Sequence, residues 1–142
     1  MCKIFKITCL ILTTLAFFNS CATLQQRTID KEAALDATNV WFKYLDERKY
    51  EKLWEISSEL LKLKTDKNDF IREIRGIREP LGKVLERNLQ VNEVMPLIEH
   101  YPDGKYRKIV YWSKYEKKDF VRENFILVKE GERWGVLRYD FI

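Results

Sequence analysis

The sequence predicts an α+β domain, with three N-terminal helices packed on a four-stranded antiparallel sheet. Three observations carry this. All five glycines and all three prolines lie at or after Gly76, so the first half lacks the strongest helix breakers. Ten of the sixteen aromatic residues that follow Cys21 fall between Tyr101 and Ile142, among β-formers. Hydrophobic spacing also changes after Lys83, from a helical period to alternation.

Each element can be justified in turn. Ala33, Ala37, Val40, Trp41 and Tyr44 recur at helical spacing and define the first helix. Thr28 or Asp30 is placed to cap it, with Glu32 in the favourable first turn. After a polar break at residues 46–49, Leu53, Trp54, Ile56, Leu60 and Leu61 mark a second helix. Thr65 or Asp66 can cap a third, with an apolar stripe of Phe70, Ile71, Ile74 and Ile77, ended by Pro80 and Gly82. Four strands complete the chain, over 84–94, 105–115, 120–129 and 133–141. Pro102-Asp103-Gly104 and Glu130-Gly131-Glu132 are the turn signals of two hairpins. A run of helices followed by a run of strands is the α+β pattern.

Composition narrows the function classes. The chain has 142 residues, the length of one domain. Its 26 Lys+Arg and 22 Asp+Glu give a net charge of +4, too mild and too mixed for a nucleic-acid partner. His100 is the single histidine, and the cysteines are Cys2, Cys9 and Cys21 alone. The body therefore offers no disulfide framework and no multi-histidine or cysteine metal site, and no cofactor is implied.

The N-terminus reads as an address. Lys3 and Lys6 precede an apolar stretch from Ile7 to Phe18, suited to a secretory signal and short of a bilayer span. It ends at Ser20-Cys21, which resembles the lipobox of bacterial lipoproteins. That resemblance implies a signal over 1–20, a lipidated Cys21 with a short tether over 21–28, and one α+β domain over 29–142. It also implies a membrane partner through the lipid on Cys21. By the same resemblance, Ala22 after the cysteine implies an outer-membrane destination facing the periplasm if the source is a two-membrane bacterium. Ordinary secretory cleavage and an uncleaved apolar helix stay open as alternatives.

The body's most informative feature is charge on an apolar face. Arg87 sits at the parity of Leu85, Leu89 and Val91. Glu123 shares the parity of Val121, Phe125 and Leu127, and Tyr139 lies between Leu137 and Phe141. A charge at a buried position must be paired. The simplest reading pairs Arg87 with Glu123, with the Tyr139 hydroxyl nearby. Such a pair either fixes strand register or forms the polar floor of a ligand pocket; with the strand register shifted by one, both charges would face solvent instead. Arg78, before Glu79-Pro80-Leu81-Gly82, either ties that loop to neighbouring carbonyls or holds an anion. His100 reads as a solvated residue, and Trp41, Trp54, Phe70 and Phe125 as core. Residues 114–118 read as a solvated turn or a weak contact to anionic headgroups.

Four patterns together resemble the bacterial domain-of-unknown-function family 4019. They are Asp46, Tyr50 and Trp54 at four-residue steps; Arg78-Glu79-Pro80-Leu81-Gly82 with Arg87; Pro102-Asp103-Gly104-Lys105-Tyr106; and Glu123 with Trp134-Gly135-Val136 and Tyr139. The resemblance spans residues 32–142. It implies an architecture similar to the nuclear-transport-factor-2-like cone, in which helices cover a curved sheet, with no established activity.

Two functions stand as expectations. The first is a lipid-anchored cell-envelope domain that binds a protein partner or small ligand without catalysis, with a homodimer open. The second is an enzyme with a conical apolar pocket, for which Asp46, Tyr50, Glu123 and Tyr139 are the candidate residues.

Overall fold

The structure is a computed structural model that describes the backbone of residues 2–142 and the side chains of residues 22–142. Cys21, the expected lipid site, therefore lies outside the described side chains. The chain falls into two compact units, residues 1–32 and 33–142. Among the described residues no helix is long and apolar enough to cross a membrane.

The first helix, α1 (Cys2–Asp46), runs straight through Thr28 and Asp30, so neither is an N-cap. Thr28 Oγ1 instead donates back to the Leu24 carbonyl at 3.2 Å, and residues 22–28 are helical. The reason is local: Ala22, Leu24, Gln25, Gln26 and Arg27 are good helix formers, and the side chain of a mid-helix Thr can bond the preceding turn.

The second expected helix is two. It divides into α2 (Tyr50–Ile56) and α3 (Glu59–Lys64) at Ser57-Ser58. Ser57 closes α2, and Ser58 caps α3 by accepting Leu61 N–H at 3.1 Å. Both serines are fully buried. Their backbone bridges to the sheet, where Ser58 N–H donates to the Val136 carbonyl at 3.0 Å. Asp66 caps α4 (Lys67–Arg78) through Asn68 and Asp69 N–H, and a single 3-10 turn comes next at Glu79–Leu81. The buried stripe of α4 is Phe70, Ile74 and Arg78, while Ile77 is exposed.

The sheet is antiparallel, in the order β1 (Val84–Met95), β2 (Tyr106–Tyr115), β3 (Val121–Glu130), β4 (Arg133–Phe141). β3 and β4 join by a two-residue turn in which Gly131 has φ +62°, a conformation glycine adopts without steric cost. On β3, Val121, Glu123, Phe125 and Leu127 are all fully buried, as their alternation predicts. β1 departs from its pattern. Bulges between Val84 and Glu86 and between Leu89 and Val91 shift its register, and Leu85 and Leu89 are exposed. A bulge inserts an unpaired residue and re-aims the side chains beyond it, so strict parity does not hold along β1.

Helices and sheet share one core. Trp41 is fully buried and packs edge-on against Phe70 and Phe125, at 6.0 and 6.3 Å between ring centroids. Trp54 is half-buried at its margin, 5.4 Å from Phe70. A smaller cluster of Leu81, Tyr115 and Val121 closes the end of the sheet where α4 hands over to β1.

Candidate functional site

Four elements bring a charged network together. β3 supplies Glu123, β1 supplies Arg87, α1 ends on Asp46, and α4 ends on Arg78. The Glu123 side chain is fully buried. Its Oε1 accepts from Arg87 Nε at 3.1 Å and from the Tyr115 hydroxyl at 2.8 Å. Its Oε2 accepts from the Tyr139 hydroxyl. Arg87 also reaches Asp46 with both terminal nitrogens, at 2.6 and 2.9 Å, and Tyr115 Oη at 3.1 Å. Arg78 Nη2 donates to Asp46 at 3.1 Å, and its Nη1 donates to the Gly82 carbonyl at 2.5 Å.

The two guanidiniums also use aromatic faces. Arg87 lies 3.8 Å from the Phe42 ring centroid, and Arg78 lies 4.9 Å from that of Tyr115. An Arg fork suits such sites because it bonds in its plane and stacks through its face. Two arginines and two carboxylates cancel in charge, so the burial cost of each ion is offset by its neighbours.

Proton affinities follow from this packing. Burial pushes the Tyr139 phenol well up, and the Glu123 carboxylate adds to the effect. Burial and Glu123 also raise Tyr115, against a smaller opposing effect of Arg87. Burial alone would pull Arg87 down, but its bond to Asp46 and the field of Glu123 raise it net. Tyr111, whose hydroxyl pairs with Thr38 at 3.2 Å, is raised by burial.

The structure thus joins Arg78, Arg87, Glu123 and Tyr139, with Asp46 linking the two arginines. It leaves Tyr50 out: that residue is buried on α2, and its hydroxyl has no hydrogen-bond partner. Arg78 does tie its loop to a carbonyl, as one of its two readings expects. His100 is exposed, with φ +67° and Glu99 at 3.6 Å. Sequence reasoning missed Tyr115. Its signal was present, because Tyr115 shares parity on β2 with the buried Ile109, Tyr111 and Ser113.

Two cavities open on the body. One of about 260 Å3 opens beside the network and is lined by Asp46, Arg48, Arg78, Gly82, Lys83 and Val84. Arg78 Nε is buried and unbonded. The other, about 360 Å3, lies between α1 and β4, with Ala37, Val40, Ile56, Trp134 and Val136 as apolar walls and Asp36 and Glu132 among its polar groups. No group of three or more His, Cys, Asp or Glu placed to hold a metal occurs among the described residues.

An antiparallel sheet covered by preceding helices, with a helix end and an edge strand held by one buried ion network, defines the structural class. Within it, the family described as protein of unknown function DUF4019 matches residues 37–139, and the chain belongs to that family. No curated protein matches the chain.

Proposed function

We propose that this chain is a lipid-anchored cell-envelope domain that binds a protein partner or a small ligand and carries out no reaction. The observation that carries the reading is the saturation of the network's two acids. Each oxygen of Glu123 accepts from arginine or tyrosine, and Asp46 accepts from two arginines. Oxygens engaged in this way are fixed hydrogen-bond acceptors within the fold, committed to holding its elements together. The network then serves as a frame that holds α1, α4, β1 and β3 in register, leaving the cavity beside Asp46 and the cavity between α1 and β4 as the binding surfaces. We place the body in the nuclear-transport-factor-2-like, cone-shaped class on the resemblance of its motifs.

The location rests on Lys3, Lys6, the apolar stretch and Ser20-Cys21. Several acyl chains on one residue anchor a protein durably, because each buried methylene contributes about 0.8 kcal/mol. Expression in a bacterium, detergent-phase partitioning and intact mass test this. The wild type is expected in the detergent phase, with a diacylglyceryl mass on Cys21, and Cys21→Ser in the aqueous phase. An unmodified N-terminus at Thr23 would overturn the anchor. Pull-down from solubilised envelopes with the lipidated chain then tests the binding role.

The second reading is an enzyme with an acid and tyrosine site. The cavity beside Asp46 favours it, since Asp46 is about a quarter exposed there, at 28%. It requires Asp46 to work as a base while bonded to two arginines. A turnover that survives Asp46→Asn would remove this reading.

A further inference from the structure

We infer that the end of the sheet around the β2–β3 loop docks onto an anionic lipid bilayer; this rests on the envelope reading above and adds a second membrane contact to it. Several of the exposed large apolar side chains lie there by register. Val84 pairs with Tyr115, Ser113 with Val121, and Ile142 exchanges both backbone bonds with Arg122. Leu85, Phe120 and Ile142 therefore lie at one sheet end, exposed by 58%, 81% and 78%. Trp112, exposed by 42%, lines a cavity of about 230 Å3 with Phe120 and Lys114.

Phe120 is the telling residue. Its φ is +57°, a region that bulky side chains rarely occupy and that costs backbone strain. The fold bears that strain and gains no burial from the ring. Such an outlier points to a role for the ring outside the folded chain.

Charge selects the partner. Asp119 is taken by Lys114 at 3.2 Å, and Glu116 accepts Lys83 N–H at 2.8 Å. Lys117 and Lys118, in the loop, have no carboxylate partner among the described residues, while Glu86, which lines the same cavity as Phe120, bonds Asn88. Aromatic and aliphatic tips beside unpaired lysines suit the headgroup boundary of an anionic membrane. A protein partner is a poorer fit, because lysines are depleted from interface cores and four side chains fall short of the roughly 1,000 Å2 a stable interface buries. A lipid on Cys21 would raise the local concentration of the body at the bilayer, so a weak contact suffices.

The test uses the full chain on vesicles of phosphatidylcholine, with and without phosphatidylglycerol. Flotation is measured first, then proteinase K cleavage in residues 116–120, then tryptophan quenching by acyl-brominated lipid. On anionic vesicles the loop should be protected and emission quenched, with the quenched component absent in Trp112→Phe. Lys117→Glu with Lys118→Glu should lower the docked-to-free ratio by at least about thirtyfold, from roughly fivefold per lysine. Phe120→Asn should also lose docking, yet melt no lower than wild type, because Asn tolerates this backbone region. Flotation with undiminished cleavage and no quenching would overturn the docking alone. Failure to float would overturn the anchor as well. Protection in intact envelopes but not on protein-free vesicles would overturn the bilayer in favour of a protein.

Discussion

Arg87 grips Asp46 with both ends of its guanidinium, Nη1 to Oδ2 at 2.6 Å and Nη2 to Oδ1 at 2.9 Å, while its Nε holds Glu123. One side chain on an edge strand thereby ties the last residue of α1 to a central strand of the sheet. Bidentate, charge-assisted bonds of this kind are stronger and more directional than neutral ones.

The first prediction concerns Asp46. Asp46→Ala leaves Arg78 and Arg87 facing each other across an empty site, and Arg78 is only 3% exposed. Breaking a buried pair by removing one partner costs about 3–5 kcal/mol. Urea unfolding should show a loss in that range. A loss below about 1 kcal/mol, the size of a surface pair, would mean that the network is not energetically coupled.

The second prediction separates Arg87 and Glu123. Arg87→Met leaves Glu123 with its tyrosines, and Asp46 keeps Arg78. Glu123→Leu leaves Arg87 with Asp46. Each single change should be costly, and the double change should cost clearly less than their sum. Contacting pairs couple by about 0.5–3 kcal/mol. Additivity within about half a kcal/mol in the double-mutant cycle would refute the pair.

Much of this was legible in the residues, for identifiable reasons. Glu123 could be located because β3 alternates without a bulge, so its parity holds from Val121 to Leu127. Arg87 was found for an incomplete reason: it points inward, but Leu85 and Leu89, whose parity suggested this, are exposed across two bulges. Such bulges leave no clear mark on alternation. The split at Ser57-Ser58 was readable in principle, since two serines before Glu59 are capping residues. The continuous apolar spacing on either side hid it. Asp46 was visible as a motif residue, but its grip on two arginines from distant elements is a tertiary fact that no local pattern encodes.

The third prediction tests how α3 seats on β4. A Cβ added at Gly135 would lie 2.9 Å from Ser58 Cα and 3.0 Å from its N. Those are backbone atoms, already held by the Ser58–Val136 bond at 3.0 Å, so they cannot swing aside. Gly135→Ala should cost about 1–3 kcal/mol, the usual range for overpacking. Gly76→Ala is the control, because nothing lies within 4 Å of its added Cβ. Equal melting temperatures for the two variants would contradict the contact.

The last prediction turns the buried tyrosines into a pH dependence. Tyr139, Tyr115 and Tyr111 all have their phenols raised, chiefly by burial, so each is more acidic in the unfolded chain than in the folded one. The unfolded state then releases protons first, at the ordinary phenol value of about 10. Below that value both states are protonated and the stability contribution is complete. Above it the unfolded state binds fewer protons than the folded one, so stability falls as pH rises. The slope can reach about 1.4 kcal/mol per pH unit for each phenol held neutral. Urea unfolding at about pH 8 and about pH 11 brackets this transition. Tyr139→Phe removes one titrating group together with its bond to Glu123. That variant should be less stable at the lower pH but lose less stability on going to the higher one. Lysines and exposed tyrosines titrate equally in both proteins, so the comparison cancels them. Identical losses in wild type and Tyr139→Phe would show that the Tyr139 phenol is not held neutral against Glu123, and the inward face of β4 would have to be redrawn.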